Sequence, residues 1–183
     1  NDRYRDSVRQ FWLGDLARGY GEGVADIAAG ISGSSDVFYY RGPTSSINFI
    51  TAHDGFTLAD LVMYSNKRNE PNQEDNRDGS NENRSWNMGV EGISEDAELI
   101  ALRHSLKKSI MATLLLSAGV PMITMGDELC RTQSGSNNAY SMPRDMTPAI
   151  ADSPETFMGG WANTWELNEL QRDMRDSVSE LTR

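Results

Sequence analysis

The chain has 183 residues, of which 38% are hydrophobic and 24% charged, and this is typical of one globular domain with a sizeable core. Its net charge of −10 excludes a surface that neutralises phosphates, so nucleic acid is not an expected partner and a neutral polar ligand fits better. No run approaches the roughly 18–20 apolar residues that cross a membrane. The single cysteine, Cys130, excludes an intrachain disulfide framework and agrees with a cytoplasmic location.

The first elements are predicted to be helical. The chain begins at Asn1, without Met, directly before a helical pattern, and we therefore expect a piece of a longer protein. Apolar spacing predicts a first helix over residues 4–13, and a second helix follows a glycine-rich turn and runs through Val24. Residues 30–46 are rich in Gly and Ser and predict an ordered loop.

A short strand and a long polar stretch come next. Residues 47–52 are apolar and β-branched and predict the first strand, after which Thr57 is placed to cap a helix. Residues 66–92 are dominated by polar side chains and form either a disordered linker or a functional loop. Trp86 and the position after a strand favour the loop, which we expect to be mobile in the isolated chain.

The second half of the chain repeats the alternation. Ser94 is placed to cap a helix that ends near Ser117, and residues 122–125 predict a second strand. A final amphipathic helix is predicted over residues 166–181. Helix, strand, helix, strand and helix in this order indicate βαβ units with a parallel sheet, and hence the α/β class.

Acidic residues follow both predicted strands, His53-Asp54 after the first and Asp127-Glu128 after the second. Residues just beyond the carboxyl ends of parallel strands face the ligand crevice, so these side chains could surround one site. A carboxylate there can bind sugar-like hydroxyls or stabilise developing positive charge. The alternative is structural, with Asp54 capping the next helix and His53 buried and hydrogen-bonded.

Metal and nucleophile chemistry find little support in the sequence. His53-Asp54 resembles the doublet of HD-type metal phosphohydrolases, but these need another histidine upstream, and the only other histidine, His104, lies downstream in a helix. His104 is predicted to lie at the surface or between helices, and Cys130 to be a packed residue. We predict no metal site and no cofactor.

Residues 49–58, Phe-Ile-Thr-Ala-His-Asp-Gly-Phe-Thr-Leu, resemble the fourth signature region of the α-amylase superfamily (glycoside hydrolase family 13). The version is that of bacterial glycogen-debranching enzymes and isoamylases. Further segments resemble the family in the right order: the end of the sixth strand at residues 1–6, the loop after the seventh strand at residues 76–79 and 85–87, the eighth-strand signature at residues 119–128, and the segment after it at residues 131–140.

The resemblance implies a partial (β/α)8 TIM barrel. Residues 1–183 would be the C-terminal segment of its catalytic domain, from the end of strand 6 through strand 8 and the last helix. Residues 66–92 would be the polar loop after strand 7. The implied activity is retaining hydrolysis of α-1,6 branch linkages in glycogen or limit dextrin, which proceeds through an oxocarbenium-like transition state.

Site roles come from the same resemblance. Asp54 matches the carboxylate that stabilises the transition state, and His53 matches its neighbour, which binds sugar hydroxyls. Glu128 matches the acidic residue of the eighth-strand signature and is expected to hold the architecture of the site rather than react. The remaining candidates for substrate binding are Trp86, Asn138 and Tyr140, and packing is an equal alternative for Trp86 and Tyr140.

The nucleophile and the general acid of the family come from strands 4 and 5, and no residue of this chain matches them. The isolated chain is therefore expected to be inactive, and self-association or pairing with the rest of the barrel are both open. Two alternative functions remain: an α-glucan transglycosidase of the same superfamily, and a non-catalytic carbohydrate-binding module.

Overall fold

The computed structural model describes residues 1–14, 23–139 and 167–183. Helices dominate this part of the chain, and its two strands are short. The elements, in chain order, are α1 (Asp2–Leu13), α2 (Val24–Ile31), α3 (Ser35–Phe38), β1 (Ile47–Asn48), α4 (Leu58–Leu61), α5 (Ala97–Leu116), β2 (Val120–Pro121) and α6 (Glu169–Leu181), with 3₁₀ turns at Pro43–Ser45, Glu70–Asn72 and Asp127–Leu129.

The two strands pair in parallel, as the alternation of elements predicts. Ile47 lies opposite Val120, and the backbone N–H of Val120 donates to the Ser46 carbonyl at 2.8 Å. Met122 N–H donates to the Asn48 carbonyl at 2.7 Å, and this second bond ends the ladder. The described residues thus form an α/β structure with a two-stranded parallel sheet.

Both strands are shorter or earlier than predicted. The first was predicted over residues 47–52, but the carbonyl of Ile50 accepts from the Arg9 side chain instead of from a neighbouring strand. The second was predicted over residues 122–125, yet it pairs at Val120–Pro121. A backbone carbonyl that accepts from a side chain is not available to a neighbouring strand, so the strand ends there. A run of apolar residues in the sequence does not show where this occurs.

The helix caps agree with the sequence in one case and differ in another. Thr57 caps α4, because its hydroxyl accepts from the N–H of Asp60 at 3.2 Å. Helix α5 is capped by Asp96 rather than by Ser94, and the Asp96 carboxylate accepts from Glu98 N–H at 2.9 Å. The Ser94 hydroxyl accepts from Asp96 N–H, one step before the helix begins.

Residues 30–46 are more helical than the predicted loop. They contain the one-turn helix α3 and the 3₁₀ turn at Pro43–Ser45. The β-prone tyrosines at the end of α3 lie on the surface, with Tyr39 76% and Tyr40 95% exposed. Residues of high strand propensity form a strand only where a partner strand and a packed surface are present. Residues 37–40 have neither among the described residues.

A single apolar core joins α1, α4, α5 and α6. It includes Tyr4, Val8, Phe56, Leu61, Ile110, Leu114, Cys130 and Met174, all nearly inaccessible to solvent. Cys130 is therefore a packed residue, as predicted. Of the two positions predicted for His104, at the surface or between helices, the structure shows the second, since its Nε2 lies 2.8 Å from the Asp173 carboxylate on α6. In the part of the chain that is described, no helix is long and apolar enough to span a bilayer.

Candidate functional site

A cavity of about 580 Å³ lies where α1, the residues after β1 and the polar loop meet. Its lining is almost entirely polar and combines donors with acceptors. The residues are Arg5, Asp6, Arg9, Asp54, Gly55, Gly79, Ser80, Glu82, Asn83, Arg84, Asn137 and Asn138. Two residues selected from the sequence, Asp54 and Asn138, are thus brought to one cavity.

The His53–Asp54 pair lies at the surface. The side chains are 90% and 75% exposed, and His53 Nε2 lies 3.2 Å from an Asp54 carboxylate oxygen. Asp54 lines the cavity, whereas His53 is not part of its lining. The structural alternative is wrong, because Thr57 rather than Asp54 caps α4 and His53 is not buried. An exposed carboxylate at a polar cavity is free to accept hydroxyl donors from a ligand.

The backbone next to Asp54 is held by Asn137. The N–H of Gly55 donates to the Asn137 carbonyl at 2.9 Å, and Gly55 has a φ of +95°, which glycine adopts without strain. The Asn137 side chain donates to the Ser80 carbonyl at 2.7 Å and to Asn83 Oδ1 at 2.8 Å. Asn137 thus ties the turn that carries Asp54, through its backbone carbonyl, to the opposite wall of the cavity, through its side-chain amide.

A second buried amide, Asn69, completes this framework. Its Nδ2 donates to Asn137 Oδ1 at 2.8 Å, and its Oδ1 accepts from the Asn137 backbone N–H at 3.0 Å. The fit leaves no room at Gly79, where a Cβ would overlap the Asn137 side chain. Neither Asn69 nor Asn137 was selected from the sequence as a site residue. The signal available for Asn137 was its place beside Asn138 in the recognised motif.

Asn138 is bound to the polar loop. Its side-chain amide donates to the Asp78 carboxylate at 2.9 Å, and Asn72 donates to the same oxygen at 2.7 Å. The hydrogen bond from Asn72 lowers the pKa of Asp78. Lys67 adds bonds to the carbonyls of Asp78 and Gly79 at 2.8 and 3.1 Å. These contacts join the polar loop to Asn138, and the mobility that is expected of residues 66–92 in the isolated chain stays a prediction.

Arg9 lies beneath the cavity and is only 6% exposed. Its guanidinium donates to the carbonyl of Ile50 from Nε at 2.9 Å and from Nη2 at 2.6 Å. Its Nη1 donates to the Asn83 carbonyl at 3.0 Å. Burial lowers the pKa of Arg9 to about 10, so the side chain stays charged at neutral pH. It joins the chain just before Asp54 to the loop on the facing wall, and sequence spacing gave no sign of this role.

Buried carboxylates brace the back of the site. Asp127 accepts from the Thr51 hydroxyl and, at 3.0 Å, from the Leu58 backbone N–H, so it links the turn after β2 to both sides of the Asp54 loop. Asp60 accepts from the Thr132 hydroxyl and, at 2.8 Å, from Gln133 N–H. The sequence pointed to the neighbouring Glu128 for an architectural role, but the deeper contacts belong to Asp127.

These carboxylates predict a pH dependence of stability. Burial raises the pKa of Asp127 and of Asp60 to about 6, above the ordinary value near 3.9 that applies in the unfolded chain. The folded state therefore binds protons more tightly, and this contribution to stability is complete below about pH 4 and lost as pH rises through about 6. Urea unfolding of the full-length protein at several pH values should give a free energy of unfolding that falls between about pH 4 and pH 6. Asp127→Asn should flatten that fall, and an unchanged slope would contradict the assignment.

Glu128 and Trp86 are not part of the cavity lining. Glu128 accepts from the Gly126 N–H at 2.8 Å within its own turn, which supports a structural role. Trp86 is half-buried and packs against the core, which favours the packing alternative for this residue. Tyr140 lies outside the described residues.

No protein-family model matches the chain. Curated relatives match it. The chain is 48% identical over 149 residues to the glycogen operon protein GlgX homolog of Mycobacterium tuberculosis, and the matched region covers 80% of this chain and 20% of that protein. It is 48% identical over 150 residues to the glycogen debranching enzymes of Escherichia fergusonii and Serratia proteamaculans, with 80% of this chain and 22% of each relative covered.

The chain thus spans about a fifth of the length of the curated relatives it matches, given the 20% and 22% coverage. Identity at this level over most of the chain establishes common descent rather than a chance likeness of short motifs. The resemblance found in the signature segments is confirmed: this chain matches a segment of the bacterial glycogen debranching enzymes and GlgX proteins.

Proposed function

We propose that this chain forms part of the catalytic domain of a glycosidase that hydrolyses α-1,6 branch linkages of glycogen-like glucans with retention of configuration. The observation that carries the proposal is the placement of Asp54. It follows a strand of a parallel sheet, is 75% exposed, does not cap α4 and lines a polar cavity of about 580 Å³. The names of the curated relatives point to the same reaction.

The finer architecture belongs to this proposal. A partial (β/α)8 barrel would place β1 and β2 as neighbouring strands near its closure, with side chains that point alternately into the barrel and toward the surrounding helices. In support, Ile47, Val120 and Met122 are 51%, 44% and 41% exposed, as expected for a sheet that lacks neighbours. The backbone N–H and C=O groups at the outer edges of such a two-stranded sheet have no partner strand. They tend to pair with another strand, which the rest of a barrel would supply.

Asp54 would act electrostatically. As the bond to the leaving oxygen breaks, positive charge builds up on the sugar ring, and a fixed carboxylate beside the ring stabilises it. Asp54 is held for this through its neighbour Gly55, which is bonded to Asn137, and through Arg9 on the Ile50 carbonyl. Nucleophile and general acid have no counterpart in this chain and would come from the rest of the protein. Arg and Asn side chains around the cavity offer hydrogen bonds to the hydroxyls of a glucan.

The test compares the full-length protein with the isolated chain on branched limit dextrin. The full-length protein should release linear maltooligosaccharides, while the isolated chain should release none. Products longer than any side chain of the substrate would identify an α-glucan transglycosidase instead. Binding of dextrin by the full-length protein without release of any product would point to a carbohydrate-binding module and contradict the proposal.

A further inference from the structure

The tip of the turn that carries Asp54, residues 53–55, is held by one backbone hydrogen bond in the part of the chain that the structure describes. The Gly55 N–H donates to the Asn137 carbonyl at 2.9 Å, whereas buried charged groups fix the chain before and after the tip. Among the contacts described for the Asp54 carboxylate, only the exposed His53 side chain reaches it. The position of this carboxylate therefore depends on the position of Asn137.

Asn137 is itself held by Asn69, which is inaccessible to solvent. The Asn69 side chain binds Asn137 twice, from Nδ2 to the side-chain oxygen at 2.8 Å and from the backbone N–H to Oδ1 at 3.0 Å. Its Nδ2 also donates to the Asp78 carbonyl at 2.9 Å, and its Oδ1 accepts from the Ser136 hydroxyl at 3.0 Å. These four bonds use both donors and both lone pairs of the amide. Turning the amide over would set its oxygen against two acceptors, so its orientation is fixed.

The contact between these two amides has no spare volume. A Cβ at Gly79 would overlap the Asn137 side-chain oxygen and would lie 2.8 Å from Asn69 Nδ2. Gly79 has a φ of +71°, so the backbone of the polar loop approaches both amides closely in a conformation that glycine adopts without strain. Closely packed groups transmit a displacement instead of absorbing it. A shift of Asn69 is therefore passed to Asn137 and on to the turn at Asp54.

We propose that Asn69 is a positioning residue for the reaction at Asp54, on which it acts through Asn137 and Gly55. This inference rests on the proposed function for the identity of the reaction. Asn69 is buried and lines neither the cavity at Asp54 nor a smaller cavity of about 260 Å³ along α1, so it does not touch the substrate. Its amide sets the distance between the Asp54 carboxylate and the sugar ring on which positive charge develops. A preorganised group loses its effect when it is displaced.

The experiment uses the full-length protein with Asn69 replaced by Ala, which removes the four hydrogen bonds of the side chain. Asn69→Asp serves if this variant does not fold. It keeps the volume and the oxygen that accepts from Ser136 and Asn137, but sets a second oxygen against two acceptors. The matched control is Asn48→Ala, because Asn48 is also a buried asparagine, 1% exposed, and lines neither cavity. Its amide donates to the Ala118 carbonyl at 3.2 Å.

Steady-state kinetics are measured on branched limit dextrin. We expect kcat of Asn69→Ala to be lower by about tenfold to a hundredfold, the loss that follows when a catalytic group is misplaced by about 1 Å. KM should change by less than about twofold, because the groups that line the cavity are retained. Asn48→Ala should unfold at a lower urea concentration and keep its kcat. An unchanged kcat of Asn69→Ala, or an equal loss in the control, would overturn the proposal.

Combination with Asp54→Asn distinguishes positioning from a general loss of structure. If Asn69 acts through the Asp54 carboxylate, Asn69→Ala should lower kcat by less than about threefold in the Asp54→Asn background, because the charge to be positioned is already absent. A residue with a structural role alone would lower kcat by the same factor in both backgrounds. Equal factors would therefore contradict the positioning role of Asn69.

Binding of a cationic sugar analogue tests the same coupling without hydrolysis. Deoxynojirimycin carries a protonated nitrogen in its ring, and maltotriose is the neutral reference. In calorimetric titrations, Asn69→Ala should weaken binding of deoxynojirimycin by about fivefold, the loss of one ion pair at an exposed carboxylate, and leave binding of maltotriose unchanged. In the Asp54→Asn background the effect should disappear. That result, in a protein that does not cleave α-1,6 linkages, would refute the proposed function and retain the coupling of Asn69 to Asp54. Unchanged affinity for deoxynojirimycin would refute the coupling.

Discussion

Replacing Asp54 by Asn in the full-length protein is expected to lower kcat for α-1,6 hydrolysis by about a thousandfold, because one preorganised electrostatic group is lost. Asparagine has the same shape but no negative charge to oppose the positive charge on the sugar ring. The side chain is 75% exposed and contacts only the exposed His53 side chain at 3.2 Å among the contacts described for it, so the fold should be unaffected. Steady-state kinetics and circular dichroism of the purified variant measure both effects.

The matched control for this variant is Asp75→Asn. Asp75 is also an exposed carboxylate, 88% accessible, and it lies 3.5 Å from Arg77 in the polar loop but outside both cavities. Its replacement should leave kcat within the experimental error of the unmodified protein. Near-normal turnover of Asp54→Asn would refute the role of Asp54, whereas an equal loss in both variants would indicate a general effect of loop charge.

Arg9→Met is expected to cause the largest loss of stability. The substitution removes three hydrogen bonds and leaves the carbonyls of Ile50 and Asn83 buried without these donors. Loss of a buried, charged donor of this kind destabilises a fold by about 3 kcal/mol. Urea unfolding, followed by tryptophan fluorescence, should show the lower midpoint.

Arg175→Met provides the comparison, because Arg175 is an arginine on α6 that is 49% exposed. It should unfold at nearly the same urea concentration as the unmodified protein, since exposed ion pairs contribute little. If Arg9→Met unfolds together with this control, the hydrogen bonds of Arg9 do not stabilise the fold. A lower midpoint accompanied by reduced kcat would agree with its position beneath Asp54.

The helices could be predicted from the sequence because their signals are local. Apolar spacing gave α1 and α5 nearly to their ends, and the Thr57 hydroxyl marks the start of α4. The ends of the strands were harder to predict from the sequence, because they depend on which backbone groups form hydrogen bonds with residues far along the chain. Ile50 illustrates this, because its carbonyl bonds to Arg9, which lies 41 residues away.

The candidate site also has a part that could be predicted from local sequence and a part that depends on long-range contacts. Asp54 was found because its motif is specific, and the structure places it at a cavity. Its supports were missed: Asn137 and Asn69 are 68 residues apart and meet only after folding. Nothing in the composition of the polar stretch distinguishes a buried asparagine such as Asn69 from an exposed one. Long-range hydrogen bonds between uncharged side chains leave no periodic trace in a sequence.

The framework of buried amides has a consequence for behaviour in salt. Asn69 and Asn137 hold the turn at Asp54 through dipoles rather than net charges, and dipolar bonds inside a protein are hardly screened by mobile ions. The geometry of the site should therefore stay the same from dilute buffer to concentrated salt. Any loss of turnover with rising ionic strength would then report on the exposed Asp54 carboxylate itself, rather than on loosening of the loop that carries it.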